Sequence, residues 1–332
     1  MELMDSNLFN FYVKKFYYVY NKMQILIIHS IDCHYENLPS LLHHFKNDDI
    51  YTFIQSNNIL HNSDDCFAWL NSILPNIKNQ NITHLQKIRD LSSLNPDLVI
   101  IDTDDDIRSV FYYNMFFHTK KLFCFTINSQ FGCRMKNKCL TLPLQGLDKN
   151  NYYSCCFEYI TPIQKYNIMK NIDRIQISIV GDICRRDKLF FEKLNSRIKN
   201  IDECDIHIIN RYKPYNYVNK SNYFYHIGID AKNMFDLLEK SDYVYYFTEK
   251  DDNYGIQCSG SFGISCSLLC KYICCNEFKN TYRMNDDIGI FLDYNTGSTS
   301  LKKLQYDDYK KIYLEKNIYI QNTKNELDNL LL

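Results

Sequence analysis

From Met23 onward, short continuous apolar runs alternate with segments whose apolar residues recur every three or four positions. The runs QILII (24–28), IYTFI (50–54), DLVIID (97–102) and KLFCFTI (121–127) read as strands. Between them, PSLLHHF (39–45) and ITHLQKIRDLSSL (82–94) read as helices. Unbroken Ile, Leu and Val suit strands covered on both faces, which is the condition of a parallel sheet, so the alternation predicts a βαβ domain. From Cys139 to about Asn171 the rhythm breaks, and this stretch holds Pro143, Gly146 and Pro162. It then restarts with RIQISIV, CDIHIIN, YFYHIGI, DYVYYFT, KYICC and DIGIFLD as strands. The intervening helical patterns are DKLFFEKLNSRI, AKNMFDLLEKS and SFGISCSLLC. Two helical stretches, SLKKLQYDDYKKIYLEK and QNTKNELDNLLL, close the chain.

The pattern therefore predicts an α/β protein of two Rossmann-like domains facing across a cleft. Residues 1–22 form an extension, 23–160 the first domain, 161–310 the second, and 311–332 the C-terminal helices. The hinge is expected between Cys139 and Asn171. The extension mixes Lys14, Lys15 and Lys22 with aromatic residues, which suits either a loosely packed tail or weak contact with a membrane surface.

Composition narrows the partners. Of 332 residues, 38 are Lys or Arg and 39 Asp or Glu, so the global basicity that a nucleic-acid backbone rewards is missing and no nucleic-acid partner is expected. Glycine occurs 9 times and alanine only at Ala68 and Ala231, a bias that erodes glycine-rich fingerprints, so their absence weighs little. The 14 cysteines fall largely in apolar runs, where buried free thiols are expected, and a reducing cytoplasm fits them. The nearest approach to a metal spacing is Cys266, Cys270 and Cys274; Cys274 leaves the helix for a strand and no CxxC pair exists, so no metal site is expected. No run reaches the length of a membrane span, and neither a GxSxG elbow nor a P-loop is present.

In open α/β sheets, ligands bind where loops leave the carboxyl ends of strands, and helix N-termini attract anions there. The segment Glu249–Cys270 fits best: a strand runs through a polar loop into Ser259, Gly260 and Ser261, which open a helix. Ser259 as a simple N-cap, with Gly260 relieving close packing, is the competing reading.

The order of elements in the second half resembles the carboxyl-terminal domain of GT-B glycosyltransferases, enzymes that move a sugar from a nucleotide donor. IQISIVGDICRRDKLFFEKL is similar to that group's first strand and helix, HIGIDAKNMFDLLEKSDYVYYFT to the helix and strand before the donor site, and SGSFGISCSLLCKYICCNE to the donor-site helix and the strand after it. TLPLQGLDKNNYY resembles the interdomain crossing and NPDLVIIDTDDD an amino-terminal strand and loop. The resemblance runs from about Met23 to the final helix and extends to family 1- and 4-like members and to the capsule-associated and protein O-glucosyltransferase-like group.

It implies a metal-independent transferase with no cofactor, taking a nucleotide sugar as substrate and a glycan, a protein or another acceptor. Donor binding would fall to Gly181, Arg185, Arg186, Lys188, Glu249, Ser259, Gly260 and Ser261, with the cations on the leaving diphosphate. His29, Asp32 and His34 follow the first strand on the acceptor side, and Asp32 or His34 is favoured as the base. Asp102, Asp104, Asp105 and Asp106 would orient sugar hydroxyls or cap the next helix. The paired glutamates of retaining members are not reproduced, and HSIDCHYEN replaces a glycine-rich loop. These departures point to the alternative, a catalytically inactive GT-B-like binding or scaffold protein.

Overall fold

The computed structural model describes residues 22–29, 38–54, 82–102, 111–126, 139–141, 160–181, 188–246 and 263–331, with positions 113, 117, 120, 211, 215, 216 and 264 excepted. The strands form two six-stranded parallel sheets. In the first, β1 (Gln24–His29), β2 (Asp49–Ile54), β3 (Ile82–Leu85), β4 (Leu98–Asp102), β5 (Leu122–Thr126) and β6 (Cys139–Thr141) take the order β3-β2-β1-β4-β5-β6. The second contains β7 (Ile175–Val180), β8 (Cys204–Asn210), β9 (Tyr223–Ile227), β10 (Tyr243–Tyr246), β11 (Lys271–Cys275) and β12 (Gly289–Leu292), in the order β12-β11-β10-β7-β8-β9. Counted from its own first strand, each sheet runs 3-2-1-4-5-6, the doubly wound Rossmann order. The expected α/β architecture of two Rossmann-like domains is thus present.

The apolar runs form strands because both faces are covered. Ile25 and Ile27 point to one side of β1, with Leu38, Leu41 and Leu42 of α1 (Leu38–His44); Leu26 and Ile28 point to the other, with Tyr112 and Phe116. Removing each such side chain from water contributes about 1.5–3 kcal/mol, which is why these runs carry almost no polar residue. In the second sheet, Ile177 and Ile179 of β7 lie against Phe190, Phe191 and Leu194 of α4 (Phe190–Arg197).

Two helical readings are corrected. ITHLQKIRDLSSL is not one helix: ITHL is the edge strand β3, paired with β2, and only Ile88–Leu91 turns helically. Half exposed on both sides, β3 has neither a continuous apolar run nor strict alternation to announce it. The final segment is a single helix, α7 (Tyr306–Leu331), of 26 residues and so about 39 Å long, while 301–305 are not helical. Tyr309 and Ile312 are buried in a cluster that includes Ile25 and Ile100 of the first sheet as well as Ile177 of the second, and Tyr319 and Ile320 pack against the same cluster. Among the described residues, no helix is long and apolar enough to cross a membrane. The extension, apart from Lys22, lies outside the described residues.

Buried charge in the second domain is tied down. The carboxylate of Asp242 accepts from the backbone of Gln176 (2.9 Å), from Lys303 Nζ (2.8 Å), from the Tyr309 hydroxyl (2.8 Å) and from the Leu304 amide (3.3 Å). Lys165 in α3 (Pro162–Met169) donates to the carbonyls of Glu239 and Ser241, and burial pulls its pKa down to about 8. Lys316 of α7 donates to the carbonyls of Ser265 (3.0 Å) and Leu268 (2.5 Å). Both ammonium groups thus end on backbone carbonyls.

Candidate functional site

In the 3-2-1-4-5-6 order, strands 1 and 4 are neighbours whose connections leave in opposite directions, so a crevice opens at their carboxyl ends. In the first sheet those ends are His29 and Asp102. The two residues are register partners in the parallel β1–β4 pairing, and His29 Nδ1 lies 2.8 Å from Asp102 Oδ2. Both side chains are 0% exposed. A carboxylate can only accept, so Nδ1 is the donor in this contact. Asp102 Oδ1 is the only buried side-chain oxygen or nitrogen without a hydrogen bond among the described residues.

Asp102 was expected either to orient sugar hydroxyls or to cap the following helix; the structure places its Oδ2 against His29, and residues 103–110 lie outside the described residues. Of the three first-strand candidates, His29 is the one placed, while the favoured Asp32 and His34 lie outside the described residues, as do Asp104, Asp105 and Asp106. The pair left a faint mark in the sequence. QILIIH and LVIID are apolar runs that each end on one ionisable residue, and two such strands adjacent in register bring those residues together.

The matching crevice of the second sheet lies at the carboxyl ends of β7 and β10. Gly181 follows β7 with φ 95°, a backbone state that a Cβ disfavours, and its amide donates to the Ile209 carbonyl at 3.0 Å. Asn210, buried at the end of β8, sets its side-chain amide beside the carbonyls of Gly181 and Ile209. Lys188 is exposed in the turn that leads into α4. Gly181 and Lys188 therefore bracket the segment leaving β7. Arg185, Arg186, Glu249, Ser259, Gly260 and Ser261 lie outside the described residues.

The cysteines expected to be buried free thiols are so at Cys204, Cys266, Cys270, Cys274 and Cys275. Burial raises the Cys204 thiol to about 12 and Cys275 to about 11, so neither is a nucleophile near neutral pH. No group of three His, Cys, Asp or Glu side chains that could hold a metal ion occurs among the described residues.

No protein-family model matches the chain, and no curated protein sequence is similar to it. Solved structures do share its fold. One from Anabaena, HepE in complex with UDP and glucose, superposes with a TM-score of 0.56 at 8% identity, over 93% of this chain and 99% of that one. Another, an alpha-glucosyltransferase in complex with UDP and a 13-mer DNA containing an HMU base, gives a TM-score of 0.50 at 10% identity, over 94% and 95% of the two chains. At such identities the likeness is one of fold, and that fold is GT-B.

Proposed function

We propose that this protein is a glycosyltransferase that moves a sugar from a nucleotide-sugar donor to a hydroxyl of a glycan or protein acceptor, with His29 as the base and Asp102 as its orienting partner. The observation that supports this most is the buried His29–Asp102 pair at the switch point of the first sheet. Glycosyl transfer to a hydroxyl needs a group that takes the proton as the new bond forms. An imidazole whose Nδ1–H is held by a carboxylate can take that proton at its other nitrogen, and the carboxylate stabilises the imidazolium that results.

The donor would lie on the second domain against the turn at Gly181, where the left-handed glycine lets backbone approach the diphosphate closely. Lys188, with Arg185 and Arg186, would carry the charge that builds on the leaving phosphate, so that no metal is needed. Both fold relatives were solved with UDP, which makes UDP the first probe.

The experiment is a thermal-shift panel of nucleoside diphosphates and nucleotide sugars, followed by an assay of nucleoside diphosphate release with the donor that stabilises most. A donor at about 100 times its Kd should raise stability by about 2.7 kcal/mol. His29→Gln and Asp102→Asn should then lower turnover by about a hundredfold or more while donor affinity stays within about twofold. If no nucleotide stabilises the protein, the binding or scaffold alternative replaces the enzyme. If a donor binds and both variants turn over normally, the base lies elsewhere.

A further inference from the structure

A second pocket lies on the flank of the second domain, between α4 and the loop that follows β12. Its volume is about 270 Å3, and it is lined by Lys193, Ser196 and Arg197 from the helix and by residues 294–298 from the loop. None of these residues belongs to the His29–Asp102 pair or to the turn at Gly181.

The loop is built rather than slack. Asp293 Oδ1 accepts from the amides of Asn295 (3.0 Å) and Thr296 (2.9 Å) and from the Thr296 hydroxyl (2.8 Å), while the Gly297 amide returns to the Asp293 carbonyl at 3.0 Å. A Cβ at Gly297 would stand 2.6 Å from the backbone nitrogen and oxygen of Asp293, so this tight turn admits only glycine. Three accepted hydrogen bonds hold the Asp293 carboxyl below its ordinary range, so it stays charged and keeps the loop folded. Arg197, 8% exposed, ties helix to loop: Nη1 donates to the Tyr245 hydroxyl at 3.0 Å and Nη2 to the Tyr294 carbonyl at 2.9 Å, with its guanidinium over the Tyr294 ring. Parallel pairing of Ile198 with Thr299 closes the junction below.

The lining carries two cationic side chains, Lys193 and Arg197, and no carboxylate; the remainder is hydroxyl, amide and one tyrosine. Positive charge beside hydroxyl-rich walls suits a ligand that is both anionic and polyhydroxylic. The volume equals about nine waters at roughly 30 Å3 each, slightly under the smallest drug-sized pockets at about 300 Å3, which is room for a monosaccharide and a phosphate but not for a nucleotide sugar. We infer that this pocket binds the phosphate monoester of a monosaccharide, its phosphate against Lys193 and Arg197 and its hydroxyls against Asn295 and Ser298.

The test is calorimetric titration of the full chain with glucose 6-phosphate, inorganic phosphate and glucose, each with and without saturating UDP. Glucose 6-phosphate should bind saturably, more tightly than phosphate and far more tightly than glucose, and UDP should leave its affinity unchanged. Lys193→Gln should weaken it about tenfold or more through the lost charge-assisted contact. Ser298→Leu, a change on an exposed loop position, should abolish binding by filling the pocket. Unchanged affinity in both variants, displacement by UDP, or the absence of saturable binding overturns the site. Equal affinities for phosphate and glucose 6-phosphate overturn the monosaccharide assignment. Because none of these readouts needs turnover or a donor, failure here is separable from failure of the transferase reading.

Discussion

His207 should make the protein lose stability as pH falls from neutral toward 5. On the sheet face near the β8–β9 edge, His207 Nδ1 meets His226 Nε2 at 3.0 Å and His207 Nε2 meets Gln176 Oε1 at 2.9 Å, while the Phe224 ring stacks on the imidazole. Desolvation first and then the neighbouring His226 push the His207 pKa from 6.5 to about 4; Asp205 opposes this and Lys240 adds to it. A histidine depressed in the folded state binds its proton more readily once unfolded. Stability is therefore complete above about pH 6.5 and is lost as pH falls from there toward about 4. The full gap is worth about 3 kcal/mol at roughly 1.4 kcal/mol per unit. Between about pH 7.5 and about pH 5 some two-thirds of it is traversed, about 2 kcal/mol, and roughly halving for the solvent that reaches this half-buried ring leaves about 1 kcal/mol.

Urea unfolding at those two pH values, for wild type and for His207→Gln, measures this as a double difference in which titrating groups away from His207 cancel. The wild type should lose about 1 kcal/mol more than the variant on acidification. Equal losses in the two proteins would refute the argument. So would a larger loss in the variant, which would mean that the ring gains rather than sheds stability on protonation.

Asp242→Ala should cost about 3–5 kcal/mol in chemical denaturation, because it leaves Lys303 and the buried Tyr309 hydroxyl facing a cavity where the carboxylate accepted both; a loss below about 1 kcal/mol would show that water replaces the carboxylate. Gly181→Val should destabilise by roughly 1–2 kcal/mol, since its φ of 95° suits only glycine, and should weaken UDP binding measurably more than it destabilises. Unchanged UDP affinity in the folded variant would move the diphosphate away from the β7 turn.

The strands of both domains were legible wherever both faces are buried, because nothing polar can interrupt such a run. β3 was not, since an edge strand with half-exposed residues on each side follows the weaker demands of one neighbour. α7 was read as two stretches because polar Asn317, Gln321 and Asn322 interrupt its apolar stripe, whereas one helix continues through them with Lys316 buried against carbonyls and Tyr319 and Ile320 packed on the core. The His29–Asp102 pair escaped for a different reason. Its residues lie 73 positions apart, and only the placement of β4 beside β1 joins them. Position after a strand favoured Asp32 and His34, which lie outside the described residues, while burial and register place His29 against Asp102.

Satisfaction of buried polar groups sets the His29–Asp102 pair apart from the buried charges of the second domain. In the second domain, Asp242, Lys165 and Lys316 each end on acceptors or donors that the fold itself supplies. Asp102 does not: one oxygen holds His29 and the other, buried, accepts nothing. An unsatisfied buried acceptor costs about 1–3 kcal/mol, and a purely structural pair gains nothing from keeping it. Replacing both partners together with apolar residues removes that cost, since exchanging both members of a buried hydrogen-bonded pair for apolar groups of similar shape is nearly neutral or stabilising. The double variant His29→Leu/Asp102→Leu is therefore expected to unfold at a urea concentration equal to or above that of wild type while losing glycosyl transfer, whereas Asp102→Leu alone, which takes the carboxylate from His29, should be the less stable protein. A double variant that is markedly destabilised yet still transfers sugar would place the pair among the fold's own supports and take the base away from it.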